Sequence, residues 1–160
     1  MAIAKRLLLK GLPKEQSGVF WFVCSGAKNE YLQNKAYYTY LQTHDVTREL
    51  PYKDEKQIDF DVSRTFASDS NSKDKKEKLK RILMTYSKRN ASIGYVQGFN
   101  FIVSKLMEYV DNEEYVFWIL VVIIEHILPI NYFSELAGVM ADVDLLLILT
   151  QQLYHINLQL

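Results

Sequence analysis

The sequence predicts an all-α fold, on three observations. Only three prolines and six glycines occur in 160 residues, and most of them lie between periodic segments, so long helices can form without interruption. Apolar residues recur at helical spacing in several segments. No run of alternating apolar and polar residues is long enough for a sheet, since Ile58–Val62 is too short. With 49% apolar residues, the chain can bury the core of one domain or one lobe.

The first half of the chain predicts two helices and two loops. Gly11-Leu12-Pro13 opens a helix that runs to about Cys24 and is ended by Ser25-Gly26. A tyrosine-rich second helix is expected from Lys28 to about Thr43. Residues 44–57 are polar and are expected to form a loop or a short helical turn, and residues 67–76 have the composition of a surface loop.

The second half predicts helices of increasing apolar content. A surface helix is indicated by apolar residues at i, i+3, i+4 and i+7: Leu79, Ile82, Leu83 and Tyr86. A helix is expected over Phe99–Val110. Asp111 to Glu114 supply a cap for the next helix, which runs from Tyr115 to Leu128 before Pro129. This helix is apolar nearly all round and is expected to be central to the core. Leu146, Leu149 and Leu153 recur at helical spacing and predict a last helix toward the C-terminus.

The balance of 19 basic and 19 acidic side chains gives no global field toward nucleic acid or anionic lipid. The lysine-rich segment 73–89 is better explained as a solvated helix face than as a nucleic-acid patch, because acidic residues interrupt it. The start of the chain is too short in apolar residues for a signal peptide, and the run Tyr115–Ile124 is too short to span a bilayer. With a single cysteine, Cys24, we expect a cytoplasmic protein without direct membrane insertion.

A first candidate constellation is the pattern I-x-x-D-x-x-R formed by Ile58, Asp61 and Arg64. On a helical turn these residues share one face, so the carboxylate can orient the guanidinium. An ordinary helical ion pair explains the same spacing. Asp59-Phe60-Asp61 is also a carboxylate pair of the kind that can hold a divalent cation, but no α/β fold accompanies it.

A second constellation is the segment Gly94–Asn100, in which Gln97 lies between two glycines where a helix begins. Glycines permit close approach of another molecule, and a helix N-terminus favours a nearby phosphate. A turn with a solvated glutamine is the alternative. The three histidines lack metal-ligand spacing and no glycine-rich phosphate loop is present, so we expect neither a metal site nor a nucleotide site of the chain's own.

Taken in order, these segments resemble the TBC-domain family of Rab GTPase-activating proteins. Gly11-Leu12-Pro13 through Trp21 resembles the family's opening element, although Ser17 stands where the family has an arginine. Ile58–Thr65 matches the motif I-x-x-D-x-x-R-T, and Gly94–Asn100 matches G-Y-x-Q-G-x-N. The resemblance implies a multi-helix TBC-type domain that is partial over residues 1–160. Residues 1–110 would form its N-terminal lobe, and residues 111–160 the first helices of the next lobe.

The resemblance also implies roles for individual residues. Arg64 would be an arginine finger, and Gln97 would orient the attacking water in the site of a GTP-bound Rab-type GTPase, which carries the GTP and Mg²⁺. Supporting positions in the same motifs are Asp61, Tyr95, Ile58, Thr65, Gly94, Gly98, Asn100 and Trp21. The family implies a role in vesicle trafficking and recruitment to endomembranes through the partner. The alternative is a catalytically weak or inactive scaffold that binds a GTPase.

Overall fold

The computed structural model describes Gly11 and residues 13–43, 52–67, 72–130, 132–133 and 137–157. Within these ranges every regular element is helical and no strand occurs. The predicted all-α class is therefore confirmed.

The described residues form eight α-helices and one π-helical turn, numbered here in chain order. The α-helices are α1 (Lys14–Cys24), α2 (Ala27–Gln33), α3 (Tyr37–Thr43), α4 (Tyr52–Thr65), α5 (Lys73–Arg89), α6 (Phe99–Met107), α7 (Glu113–Val122) and α8 (Ala137–Asn157). The π-helical turn is Ile123–Ile127.

Helix α7 is the centre of the core, as its all-round apolar sequence predicts. Every residue from Val116 to Val122 is buried, and α7 packs against α1, α2, α5 and α6. Asn112 caps this helix by accepting a hydrogen bond from the Tyr115 backbone N–H at 3.0 Å. The predicted cap is confirmed, but regular α geometry ends at Val122, before the predicted end at Leu128, and a π-helical turn continues to Ile127.

Helix α4 packs against α5 and α6, with Ile58 and Val62 on its buried side. Helix α6 begins immediately after the Gly94–Gly98 turn. These contacts bring the two sequence motifs to one part of the molecule, because one motif ends α4 and the other precedes α6.

The predicted single helix over residues 28–43 is wrong, since α2 and α3 are separate. Asn34 terminates α2 by donating from its side-chain amide to the Glu30 backbone carbonyl at 2.9 Å. Ala36 then has a left-handed backbone with φ of 63°, a conformation that cannot continue a right-handed helix.

The loop or short helical turn expected over residues 44–57 is wrong from Tyr52 onward, where the 14-residue helix α4 begins; residues 44–51 lie outside the described residues. Asp54 and Glu55 lie in the first turn of α4, where negative charge stabilises the N-terminus of a helix. The loop expected over 67–76 is likewise wrong from Lys73 onward. In both segments good helix formers with few apolar residues resembled a loop by composition.

Helix α6 also ends earlier than predicted. It stops at Met107 instead of Val110, because the chain turns through Glu108 and Tyr109. The first helix ends at Cys24 as predicted, followed by Gly26 in the left-handed region.

The chain divides into two compact units, Met1–Ile124 and Glu125–Leu160. In the second unit the Tyr132 hydroxyl donates to the Asp142 carboxylate at 2.6 Å. Helix α8 contains the predicted leucine stripe, and the three leucines of that stripe, Leu146, Leu149 and Leu153, are exposed. None of the described helices has the length and apolar character needed to cross a bilayer. The lobe boundary expected near residue 110 stays a prediction.

Candidate functional site

The last two turns of α4 present Arg64 at the surface. Ile58 and Asp61 on the same face are completely buried, so they fix the position of this end of the helix. Arg64 Nη2 lies 2.6 Å from Asp61 Oδ1, and the arginine side chain remains 39% exposed. The I-x-x-D-x-x-R pattern thus gives a guanidinium that is oriented from beneath by a buried carboxylate and is accessible from outside.

Phe60 provides a second contact for Arg64. The guanidinium carbon lies 5.4 Å from the centre of the Phe60 ring, and this ring is 61% exposed. Such a cation–π contact at an exposed site contributes about 0.5–1 kcal/mol. Sequence reasoning missed this residue, although the i, i+4 spacing from Phe60 to Arg64 was the available signal.

The Gln97 segment is a tight turn that depends on its two glycines. Gly94 and Gly98 have φ values of 64° and 107°, in the region that L side chains rarely adopt. Gly98 is the N-cap of α6. Gln97 lies between these points with an exposed side chain, so it is available to another molecule.

A buried hydrogen-bond network joins this turn to the end of α4. The Tyr95 hydroxyl donates to Asp61 Oδ2 at 2.8 Å and lies 3.3 Å from Asn100 Oδ1. The Asn100 amide donates to Thr65 Oγ1 at 2.8 Å, and its oxygen accepts from the Gly98 backbone N–H at 3.2 Å. The segments that carry Arg64 and Gln97 are therefore one connected structure, although 33 residues separate them in sequence (97 − 64 = 33).

Electrostatics keep the Tyr95 hydroxyl protonated. Burial raises the pKa of Tyr95 above its ordinary value near 10, and the hydrogen bond to Asp61 raises it further. The hydroxyl is thus a permanent donor to the Asp61 carboxylate at neutral pH. Asp61 is held on one oxygen by this tyrosine and on the other by Arg64.

Asp54 is a further contact of the turn that sequence reasoning missed. Its Oδ2 accepts a hydrogen bond from the Tyr95 backbone N–H at 3.2 Å. A Cβ at Gly94 would lie 2.7 Å from the same oxygen, so the absence of a side chain there permits the close approach. Asp54 was placed in the loop or short helical turn expected over 44–57, and this error concealed its position on α4.

The predicted site residues are thus brought together with one exception. Ile58, Asp61, Arg64 and Thr65 on α4 meet the Gly94–Asn100 segment through the network described above. Trp21 lies on α1 and is 47% exposed, and among the described residues no hydrogen bond or ring contact joins it to that network. Its supporting role stays a prediction.

A groove of about 810 Å³ adjoins the site at Thr65. It is lined by residues at the end of α4, on α5 and on and after α6: Thr65, Phe66, Lys75, Phe101, Ser104, Met107, Glu108 and Tyr109. Phe101 is 58% exposed, so the lining includes accessible aromatic surface next to the oriented arginine. Across the described ranges, no group of three or more metal-ligating side chains is present.

The fold and the site define a helical protein that presents an oriented guanidinium and an accessible carboxamide on connected segments. The Rab-GTPase-TBC domain family model matches residues 14–156, nearly the whole chain. The chain therefore belongs to the Rab-GTPase-TBC domain family, as the sequence motifs predict.

Individual relatives agree with this assignment. The chain is 33% identical over 148 residues to growth hormone-regulated TBC protein 1-A of Danio rerio, covering 89% of this chain and 40% of that protein. It is 33% identical over 135 residues to TBC1 domain family member 2A of Ailuropoda melanoleuca, covering 82% of this chain and 14% of that protein. The chain thus spans less than half the length of these relatives.

A solved structure shares the fold. The crystal structure of the Chlamydomonas flagellar RabGAP TBC domain superposes with a TM-score of 0.72 at 30% sequence identity, covering 82% of this chain and 46% of that chain.

Proposed function

We propose that this chain activates GTP hydrolysis by a Rab-type small GTPase, inserting Arg64 and Gln97 into the partner's nucleotide site. The observation that carries the proposal is the buried network of Asp61, Tyr95 and Asn100, which connects both exposed side chains to one support. Membership of the Rab-GTPase-TBC domain family supports the choice of partner.

Arg64 would stabilise charge in the partner's transition state. During phosphoryl transfer negative charge is spread over the phosphate oxygens, and catalysis consists mainly of positioning and charge stabilisation. Because Asp61 and Phe60 already restrict the guanidinium, less side-chain entropy is lost when it enters the partner's site. An arginine finger accelerates hydrolysis by about 10³- to 10⁵-fold.

Gln97 would orient the attacking water through its side-chain amide, which can both donate and accept a hydrogen bond. Its backbone lies between the fixed points Tyr95 and Gly98, so the turn holds the amide in place without burying it. The GTP and Mg²⁺ belong to the partner, and the chain contributes no nucleotide or metal of its own to this reaction.

The exposed aromatic residues near the site suit a docking surface. Phe60 and Phe101 are both more than half exposed, and exposed apolar surface beside charged groups is typical of interaction sites. The partner would bind there in its GTP-bound state, with the groove at Thr65 as part of the contact.

The test is single-turnover phosphate release from a panel of GTP-loaded Rab proteins, measured by stopped flow. We expect Arg64→Ala to lower the hydrolysis rate with the responsive partner by about 10³-fold or more, and Gln97→Ala to lower it by at least tenfold. Equal rates for wild type and Arg64→Ala with every partner would refute the proposal.

Matched controls separate these effects from damage to the surface. Arg81→Ala removes an exposed arginine on α5 that pairs with Glu113, and Gln33→Ala removes an exposed glutamine on α2. Neither residue belongs to the network, so both controls should keep the wild-type hydrolysis rate. Circular dichroism spectra of all four variants check that each is folded.

The second candidate is a binding module that uses the same surface without accelerating hydrolysis. Ser17 favours it, because this buried serine stands where the resembled family has an arginine. A binding module predicts that Gln97→Ala leaves the partner's hydrolysis rate unchanged while the complex still forms.

A further inference from the structure

We infer that Asp54 is a positioning residue for Gln97, and that it acts mainly on the glutamine turn. This inference rests on the proposed function, because it concerns how that site is held ready for a partner. Asp54 lies in the first turn of α4, about three helical turns before Arg64, and belongs to neither motif.

Asp54 contacts the glutamine turn directly. Asp54 Oδ2 accepts from the Tyr95 backbone N–H at 3.2 Å, across 41 residues of sequence. Because a carboxylate accepts the bond, it is stronger than one between neutral groups. The bond holds the entrance of the turn two residues before Gln97.

Asp54 also packs closely against Gly94. Gly94 is buried and has a left-handed backbone, and the space that a Cβ would need is occupied by the Asp54 carboxylate. The turn and the aspartate are therefore in close contact. At the other side of Gln97, Asn100 accepts from the Gly98 N–H, so the glutamine is held from both directions.

Arg64 and Gln97 are held by different direct contacts. Arg64 is oriented by Asp61 and Phe60, and no described hydrogen bond or ion pair joins it to Asp54. Loss of the Asp54 carboxylate should loosen the backbone of the Gln97 turn. The Tyr95 ring stays packed against Phe99 and its hydroxyl stays bonded to Asp61, so Arg64 should be affected less than Gln97. Asp54 thus affects catalysis mainly through Gln97.

The experiment has one arm without a partner. Amide hydrogen exchange of the full chain is compared for wild type, Asp54→Ala and the matched control Asp59→Ala. The control removes an exposed carboxylate from the same helix, α4, where Asp59 pairs with Lys80 of α5. We expect Asp54→Ala to lower protection at residues 94–98 by about tenfold and to leave α4 protected. Asp59→Ala should leave these amides unchanged, and equal protection in both variants overturns the inference.

The second arm measures hydrolysis in a double-mutant cycle with a responsive Rab partner. Asp54→Ala should lower kcat by about tenfold with KM within about twofold of wild type, because a misplaced group acts mainly on the chemical step. The same change should lower kcat by less than about twofold in Gln97→Ala, and by about tenfold in Arg64→Lys. Asp54→Asn keeps an oxygen acceptor and should restore most of kcat.

The two arms separate failure of the inference from failure of the proposed function. If wild type activates no GTPase while Asp54→Ala still loosens the turn, the proposed function fails and the structural role of Asp54 stands. If wild type is active and Asp54→Ala lowers kcat equally with and without Gln97, the inference fails and the proposed function stands. An unchanged kcat in an active protein also overturns it.

Discussion

Removal of the Tyr95 hydroxyl should destabilise the protein through Asp61. Tyr95→Phe keeps the ring, which packs edge-on against Phe99 with centroids 6.1 Å apart, and removes only the donor to Asp61 Oδ2. Because Asp61 is completely buried, water cannot replace that donor. A hydrogen bond to a charged group contributes about 1.5–3 kcal/mol, so we expect the free energy of unfolding to fall by that amount.

The assay is urea denaturation followed by circular dichroism, together with a thermal melt. For a chain of this size the loss corresponds to a decrease in Tm of about 3–12 °C. Tyr31→Phe is the matched control, because its ring contacts with Phe22 and Tyr115 remain and its hydroxyl makes no described hydrogen bond. Identical unfolding midpoints for the two variants would refute the reasoning about Asp61.

Three further predictions concern stability. Ile58→Ala, at a completely buried position, should lower the free energy of unfolding by about 2–5 kcal/mol in urea denaturation; a loss below 1 kcal/mol would contradict its placement. Gly94→Ala should destabilise more than Gly26→Ala in the same assay, because both backbones are left-handed but only at Gly94 would a Cβ clash. Burial would raise the pKa of Glu113, but hydrogen bonds from Arg81 and a buried tyrosine outweigh it and lower that pKa below 4.5. The folded protein therefore resists protonation where the unfolded chain binds a proton. The resulting stability is present above about pH 4.5 and is lost as pH falls below it, so Glu113→Gln should show a smaller acid-induced loss in an unfolding series from pH 7 to pH 3.

The central helix was predictable from sequence because its signal is strong. Residues 116–122 are apolar without interruption and become completely or almost completely buried, and an acidic, asparagine-containing cap precedes them. The glycines of the Gln97 turn were also predictable, since glycine between two periodic segments indicates a backbone that other residues avoid.

Helix α4 could not be recognised by apolar periodicity. Its buried side includes Ile58, Asp61 and Val62, and apart from the aromatic Tyr52 and Phe60 the rest is charged or polar, so its first turns resembled a loop. Burial of Asp61 depends on tertiary partners from outside the helix, Tyr95 above all. Pairings of this kind between distant segments cannot be predicted from a local sequence pattern. The contact between Asp54 and Tyr95 was not predicted for the same reason.

The separation of α2 from α3 has a similar cause. Nothing in the tyrosine-rich sequence breaks the helical period, but Asn34 terminates α2 with its own side chain, and Ala36 adopts a left-handed backbone. Propensity is a weak guide at such positions because tertiary packing outweighs it.

The most direct test of in-trans catalysis uses a responsive Rab partner whose own catalytic glutamine has been replaced by alanine. Single-turnover GTP hydrolysis is measured with wild type and with Gln97→Ala. If Gln97 supplies the amide that orients the attacking water, the wild-type chain still accelerates hydrolysis by this partner, and Gln97→Ala reduces the acceleration by at least tenfold. Equal acceleration by the two proteins, or none by wild type with a partner that it otherwise activates, would contradict the account.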